Sequence, residues 1–190
     1  MTHVILIGDS IRMAYQPLVA EQLGDGFNAG GPEENGGTSA NVLAHLEAWA
    51  LSQPVDIVHV NCGLHDLAQD APGRPRVEVS QYVRNVENIL LQLASTGARV
   101  IWGTTTPVLD DLHNSRKPFQ RYHTDVCRYN EAALHVVSRL RVPVNDLYSI
   151  IFKNGVEESV YDGVHMKPTA NALLANAVTN SVRKQANHLE

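Results

Sequence analysis

The chain has 190 residues, and 15 lysines and arginines stand against 20 aspartates and glutamates, a formal net charge of −5. That length suits one domain, assigned to residues 1–188, able to bury a sizeable core without disulfide support. The mild acidity without any stripe of Lys and Arg argues against a nucleic-acid partner, and no stretch approaches the ~18 apolar residues of a membrane span.

The first strand-like run is His3 to Ile7, and it begins almost at Met1. No charged or apolar leader precedes it, which implies a cytoplasmic protein. At the other end Leu189-Glu190 reads as the remnant of a cloning site. In that case a leader trimmed from the front would make the protein secreted or periplasmic. Gly8-Asp9-Ser10-Ile11 follows the strand, and helical periodicity runs from about Ile11 to Leu23. A weaker strand at Gly26 to Ala29 leads to Gly37-Thr38-Ser39-Ala40-Asn41 and a helix over Ala40 to Leu51.

The strand Asp56 to Asn61 ends before Gly63-Leu64-His65-Asp66, and a helix spans Val79 to Ser95. The strand Ala98 to Thr104 opens into a long polar loop, Pro107 to Arg121, with Asp110, Asp111, His113, Arg116 and Lys117. Long loops at that edge are often functional, although a solvated excursion has the same composition. A helix over Tyr122 to Leu140, a strand at Val142 to Val144, the turn Asp162-Gly163-Val164-His165 and a helix from Pro168 to Lys184 complete the chain.

Strands alternating with helices of this length imply βαβ units and a parallel sheet. The strands read as continuous apolar runs, as they do when both faces are covered. The expectation is an α/β chain with a flavodoxin-like parallel sheet of about five strands in a three-layer α/β/α sandwich. Ligands in such sheets bind outside the carboxyl ends of the strands, where every motif above falls. Cys62 and Cys127 fit no metal-ligand spacing and no disulfide framework, and are read as free buried thiols. His3, His45, His59, His135 and His188 are read as structural or surface residues.

Serine alone is a weak nucleophile, and it needs a base within hydrogen-bond reach that is itself oriented by a carboxylate. Ser10 lies at a strand end, and Asp162 and His165 sit three residues apart on one turn that can deliver both. Taken singly, each motif has a plainer explanation. Ser10 could cap a helix, Asp162 and His165 could form a solvated turn, and His65-Asp66 could merely start a helix. Their order along the chain favours chemistry.

Four blocks stand in sequence: Gly8-Asp9-Ser10, Gly37-Thr38-Ser39-Ala40-Asn41, Gly63-Leu64-His65-Asp66 and Asp162-Gly163-Val164-His165. Together they resemble the SGNH hydrolase superfamily, the GDSL esterases and lipases, across nearly the whole chain. The resemblance implies Ser10 as nucleophile, His165 as general base and Asp162 as its orienting carboxylate. It also implies an oxyanion hole from the Ser10 and Gly37 N–H groups, with Ala40 the other position the pattern allows. The second block is similar to the Gly-Arg-Ser-Ala-Arg segment of rhamnogalacturonan acetylesterases.

One position departs from the pattern. Where the family carries Gly-x-Asn-Asp, His65 replaces the asparagine, so the third oxyanion donor is either an imidazole N–H or lost. Asn61 lies nearby in sequence but would point from the strand and is a poor substitute. The resemblance implies hydrolysis of short-chain esters, O-acetyl groups on a carbohydrate first, with no cofactor and no metal. The partner expected is a small-molecule or oligosaccharide ester. Lysophospholipase, thioesterase or general short-chain esterase activity is the enzymatic alternative, and a glycan- or small-molecule-binding module the non-enzymatic one. Oligomeric state stays open.

Overall fold

The computed structural model describes residues 1–188, and the reading of Leu189-Glu190 as a cloning remnant lies outside the described residues. Strand β1 (Thr2–Ile7) leads into helix α1 (Ser10–Leu23), and β2 (Phe27–Gly30) returns beside it. Helix α2 (Ser39–Leu46) runs on into one π-helical turn over Glu47–Leu51. After β3 (Ile57–Val60) come a small hairpin, β4 (Gln69–Ala71) and β5 (Arg74–Pro75), then α3 (Val79–Ser95) and β6 (Arg99–Gly103). The remainder is α4 (Asp110–Asn114), α5 (His123–Arg139), β7 (Val144–Asn145), α6 (Leu147–Asn154), α7 (Val156–Ser159) and α8 (Pro168–Ala186).

Five strands form one parallel sheet in the order β2-β1-β3-β6-β7. Helix α1 packs on α8 over one face, while α2, α3 and α5 pack in succession over the other. Covered on both sides, β3 buries every residue from Ile57 to Val60, which is why the strands carry no polar alternation. The chain leaves β1 in one direction for β2 and returns past it to β3. A crevice opens at such a reversal, outside the carboxyl ends of those two strands. Ser10 and the segment Asn61–Asp66 lie there.

The expected strands and long helices are all present within a few residues. The β4–β5 hairpin, α4, α6 and α7 carry too few residues to leave a periodic trace, and sequence patterning did not anticipate them. Both cysteines are free, but only Cys62 is buried, and Cys127 lies on the exposed side of α5. That corrects the expectation of two buried thiols: the stripe of α5 that faces the core is carried by Val126, Tyr129, Ala133 and Val137. Among the described residues, no helix is long and apolar enough to cross a membrane.

His59 is fully buried within β3, its Nε2 3.2 Å from the Asn145 side-chain amide. Gly103 leaves room for the ring, since a Cβ there would lie 2.8 Å from His59 Cε1. Burial pushes the His59 imidazole down from 6.5 to about 4, and burial with the nearby Arg121 charge does the same to His113. Asp66 behaves oppositely: burial raises it to about 6 against the hydrogen bonds from Ser39.

In the window from about 6.5 down to about 4 the unfolded chain binds two histidine protons that the fold refuses. Over much of it the fold binds one extra proton at Asp66. The histidines outnumber the aspartate, so stability falls with falling pH down to about 4, and below that Asp162, held at about 2, continues the loss. Urea unfolding from pH ~7 to ~4.5 should show a net loss on the order of a few kcal/mol. A flat or rising profile would contradict this account.

Candidate active site

The turn between β1 and α1 is built on a capping carboxylate. Asp9 is buried and precedes the helix in extended conformation, and its Oδ1 accepts the Ile11 N–H at 2.9 Å. This is the N-cap role that a serine could have filled. Ser10 is instead the first helical residue, which frees its hydroxyl, and its Oγ lies 2.9 Å from His165 Nε2. A glycine must precede Asp9, because a Cβ on Gly8 would lie 2.8 Å from Arg12 Cβ.

Asp162 and His165 sit on a loop whose neck is the Val160–Met166 bridge, and the Tyr161 N–H donates to the His165 carbonyl at 3.0 Å. Asp162 Oδ1 accepts the Val164 and His165 N–H groups at 3.1 and 2.8 Å, and Oδ2 lies 2.7 Å from His165 Nδ1. Burial alone would raise this carboxyl, but the hydrogen bonds from His165 and Val164 outweigh it and hold the group at about 2. An ionised acceptor at Nδ1 keeps the proton on that nitrogen, leaving Nε2 as the acceptor that faces Ser10. The arrangement can take a proton from the Ser10 hydroxyl and return it to a leaving group.

Gly163 adopts φ +94°, and a Cβ there would lie 2.5 Å from the backbone nitrogen of His113. Its carbonyl accepts the Leu109 N–H at 2.8 Å. The segment Pro107–Arg121 is therefore packed onto the Asp162–His165 loop through Leu109 and the buried His113, while Asp111 and the tip from Ser115 to Pro118 are exposed.

A second loop is tied to the Ser10 turn from below. The buried Arg12 donates from Nη1 to Gln16 Oε1 (2.7 Å) and the Pro32 carbonyl (2.8 Å). Its Nη2 reaches the carbonyls of Glu34 (2.9 Å) and Gly8 (3.3 Å). The Gly36 N–H donates to the same Gly8 carbonyl at 2.9 Å, so residues 32–36 are fastened to the end of β1. Gly37 follows in left-handed conformation (φ +60°), and its N–H donates to Asn35 Oδ1 at 2.9 Å. Ala40 lies exposed in the first turn of α2.

Asp66 fastens the start of α2 to the loop after β3. Its two carboxylate oxygens accept the Ser39 N–H at 2.9 and 3.0 Å, and Oδ1 also accepts the Ser39 hydroxyl. Asn85 donates to Ser39 Oγ at 2.9 Å from α3. His65 is half-buried just ahead of Asp66. Burial pushes its imidazole down, Asp9 pulls it up, and Arg121, Arg76 and His165 push it down further. The net shift is downward, so the ring is neutral at neutral pH and keeps one N–H. The Asn61 side-chain amide donates to the Gly103 carbonyl at 2.8 Å.

The structure thus brings Ser10, His165 and Asp162 into one hydrogen-bonded chain. It sets His65 within electrostatic reach of His165 and Asp9. Gly37 lies on a loop fastened to the Ser10 turn, but its N–H is taken by Asn35. Sequence reasoning missed Asp9 as the cap, Arg12 as the anchor of the glycine loop, Asp66 as the tie to α2, and Arg121. Arg12 opens a helix and Arg121 ends a polar loop, and nothing in their spacing marks a buried guanidinium. Among the described residues, no group of three His, Cys, Asp or Glu side chains could hold a metal ion.

Residues 6–173 match the family described as GDSL-like Lipase/Acylhydrolase. An acetyl xylan esterase, AlAXEase, superposes with a TM-score of 0.79 at 19% identity, over 95% of this chain and 99% of that one. An aryl esterase from M. smegmatis superposes with 0.79 at 16% identity, over 97% and 100%. A lipase/acylhydrolase from Enterococcus faecalis gives 0.75 at 19% identity, over 97% of both chains. No curated protein sequence gives a significant match.

The contact between Gly36 and Gly8 is testable through packing alone. A Cβ on Gly36 would lie 2.7 Å from the Gly8 carbonyl oxygen, which is backbone and cannot swing away. Gly36→Ala should cost about 1–3 kcal/mol by urea denaturation. Gly26→Ala, with nothing within 4 Å of the new methyl, should stay within about 0.5 kcal/mol of the parent. Equal effects would show that the close approach does not constrain the loop.

Proposed function

The chain belongs to the GDSL-like Lipase/Acylhydrolase family and is a carboxylic ester hydrolase, and on that premise we propose that Ser10 is its nucleophile, His165 its general base and Asp162 the orienting carboxylate. The observation that carries this reading is the unbroken chain of contacts, 2.9 Å from Ser10 Oγ to His165 Nε2 and 2.7 Å from Nδ1 to Asp162. Residues 1–188 act as one domain. Ser10 attacks the ester carbonyl as His165 takes its proton, and the imidazolium protonates the departing alcohol. Water then enters, is deprotonated by His165 and releases the acid from the acyl-enzyme.

The developing oxyanion is held by the Ser10 N–H, the Gly37 N–H and the ring N–H of His65. For Gly37 this means exchanging the neutral Asn35 amide oxygen for an anionic acceptor, which forms the stronger hydrogen bond. For His65 it requires a neutral ring with one proton, in keeping with the downward shift of that imidazole.

The substrate is an ester of a short acyl group, most of all an O-acetyl group on a carbohydrate. In support, the segment Gly37-Thr38-Ser39-Ala40-Asn41 is similar to that of rhamnogalacturonan acetylesterases, and a structural neighbour is an acetyl xylan esterase. Tyr161 is 57% exposed, with its ring centroid 6.0 Å from that of His165, and offers a flat apolar face beside the base.

Rates on p-nitrophenyl esters of increasing chain length should fall steeply beyond the shortest acyl groups, and acetylated oligosaccharides should be turned over. Ser10→Ala should abolish hydrolysis of all of them with an unchanged circular dichroism spectrum. A preference for octanoyl or longer chains would move the substrate to lipids or thioesters. Near-normal turnover by Ser10→Ala would defeat the mechanism.

The donor role of His65 has its own test. Removing one oxyanion donor typically costs about 10²–10³ in turnover, so His65→Ala should lose on that order in kcat with little change in KM. His65→Asn should recover part of the loss by restoring a side-chain N–H. If both variants run near the parent rate, His65 only shapes the loop.

A further inference from the structure

Arg121 is a buried cation without an anion. The residue is 4% exposed, yet among the described residues no carboxylate lies within 4.0 Å of its guanidinium. Burying an unpaired guanidinium is costly, and proteins keep such groups paired or poised for a ligand. Arg121 is also held too firmly to escape into water. Its backbone N–H donates to Asn114 Oδ1 at 2.9 Å, and its carbonyl accepts from Asn114 Nδ2 at 3.1 Å. Its guanidinium stacks on Phe119 at 4.9 Å, and Phe119 carries the Arg76 guanidinium at 4.6 Å.

Among the described residues, only one of the five N–H donors of this guanidinium has a protein partner: Nε donates to the Leu64 carbonyl at 2.8 Å. Among the described residues the end nitrogens make no protein hydrogen bond, and they are not fully sealed from solvent. Their surroundings are those of the ester-hydrolysing site. Leu64 immediately precedes His65, and Arg121 feels the charges of Asp9 and Asp162 and acts in turn on His65 and His113. Burial lowers its pKa only to about 10, so it remains a cation at neutral pH.

The neighbouring charges do not satisfy it. Asp9 turns Oδ1 to the Ile11 N–H, Asp162 is committed to His165 and Val164, and Arg76 is paired with Asp70 at 2.7 Å. A planar fork of unused donors pairs with a carboxylate through two parallel hydrogen bonds, the anionic group that an acidic sugar or a dicarboxylic acyl group would bring.

We propose that Arg121 is a specificity residue whose free guanidinium end receives a carboxylate carried by the ester substrate. On the proposed carbohydrate substrate this would be an acidic sugar bearing the acyl group. The inference rests on the assignment of Ser10 as the reacting centre, but not on the alcohol being a sugar. The carboxylate could reside on the alcohol or on the acyl part, and two pairs of esters separate these sources. For the alcohol side, 4-acetoxybenzoate is compared with its neutral methyl ester. For the acyl side, p-nitrophenyl hydrogen succinate is compared with p-nitrophenyl methyl succinate. Each kcat/KM is divided by the hydroxide-catalysed rate of the same ester, which removes intrinsic reactivity.

The parent enzyme should favour the anionic member of one pair by about tenfold, the order expected of charge-assisted hydrogen bonds. Arg121→Gln should bring that ratio to one or below, and Arg121→Lys should keep part of it. Arg121→Gln will also slow the neutral esters, because the Leu64 carbonyl loses its donor. Such a structural effect lowers both members of a pair alike and leaves the ratio unmoved, so a ratio unchanged by Arg121→Gln overturns the proposal.

So does a parent ratio of one or less in both pairs, which needs no variant to fold. Ser10→Ala keeps the two levels apart. If it retains turnover of the neutral esters, the site assignment fails. If it is inactive while the parent ratio is one, only the role of Arg121 fails.

Discussion

The carbonyl oxygen of Gly8 is the junction on which the site is assembled. It terminates β1, accepts the Gly36 N–H at 2.9 Å and is reached by Arg12 at 3.3 Å. Two residues later the chain has turned into α1 with Asp9 as cap, so Ser10 emerges with its hydroxyl uncommitted to the backbone. The glycine loop is thus held to the same strand end that presents the serine. Both contacts need glycine, since a side chain at Gly8 would strike Arg12 and one at Gly36 would strike the Gly8 carbonyl. A parallel sheet with its strand order reversing beside β1 supplies the crevice, and this junction lines it.

The opposite wall comes from the end of the chain. The loop between Val160 and Met166 folds a carboxylate back onto its own backbone and onto the imidazole three residues on, so orientation of the base is local. What is not local is the backing of that loop. His113 lies against Gly163, and Leu109 donates to the Gly163 carbonyl. The segment that looks solvated by composition is therefore part of the wall, and Phe119 and Arg121 extend it to Leu64, next to His65. Charges here are few and little screened. Two imidazoles, His65 and His113, are pushed toward their neutral forms, while Asp162 is held ionised by its own hydrogen bonds. That division suits a site in which one imidazole must accept a proton and its neighbours must not compete for it.

The sheet was legible because its central strands β1, β3 and β6 are short apolar runs between helices of regular period, and such patterning reflects burial on a local scale. Ser10, Asp162 and His165 were legible for a related reason. A serine at a strand end and an Asp–His pair within one turn are local motifs, and the rest is their order along the chain. The short hairpin and the helices α4, α6 and α7 were not, because two to eight residues give no period to detect. Cys127 was misjudged because a helix buries one stripe only, and it falls just off the stripe carried by Val126 and Tyr129.

By itself, then, the sequence determined the parallel α/β architecture and the residues that meet in the hydrogen-bonded chain at its edge. Tertiary structure alone decided the rest. Arg12 and Arg121 are cations that any composition rule would put in water, yet both are buried, because carbonyls from distant segments wait for them at Pro32, Glu34 and Leu64. Likewise, only the folded loop shows that the Gly37 N–H is occupied by Asn35. Spacing records which face of an element turns inward. It carries no record of which remote backbone oxygen a long side chain will meet there, and that meeting decides whether a charge can be buried.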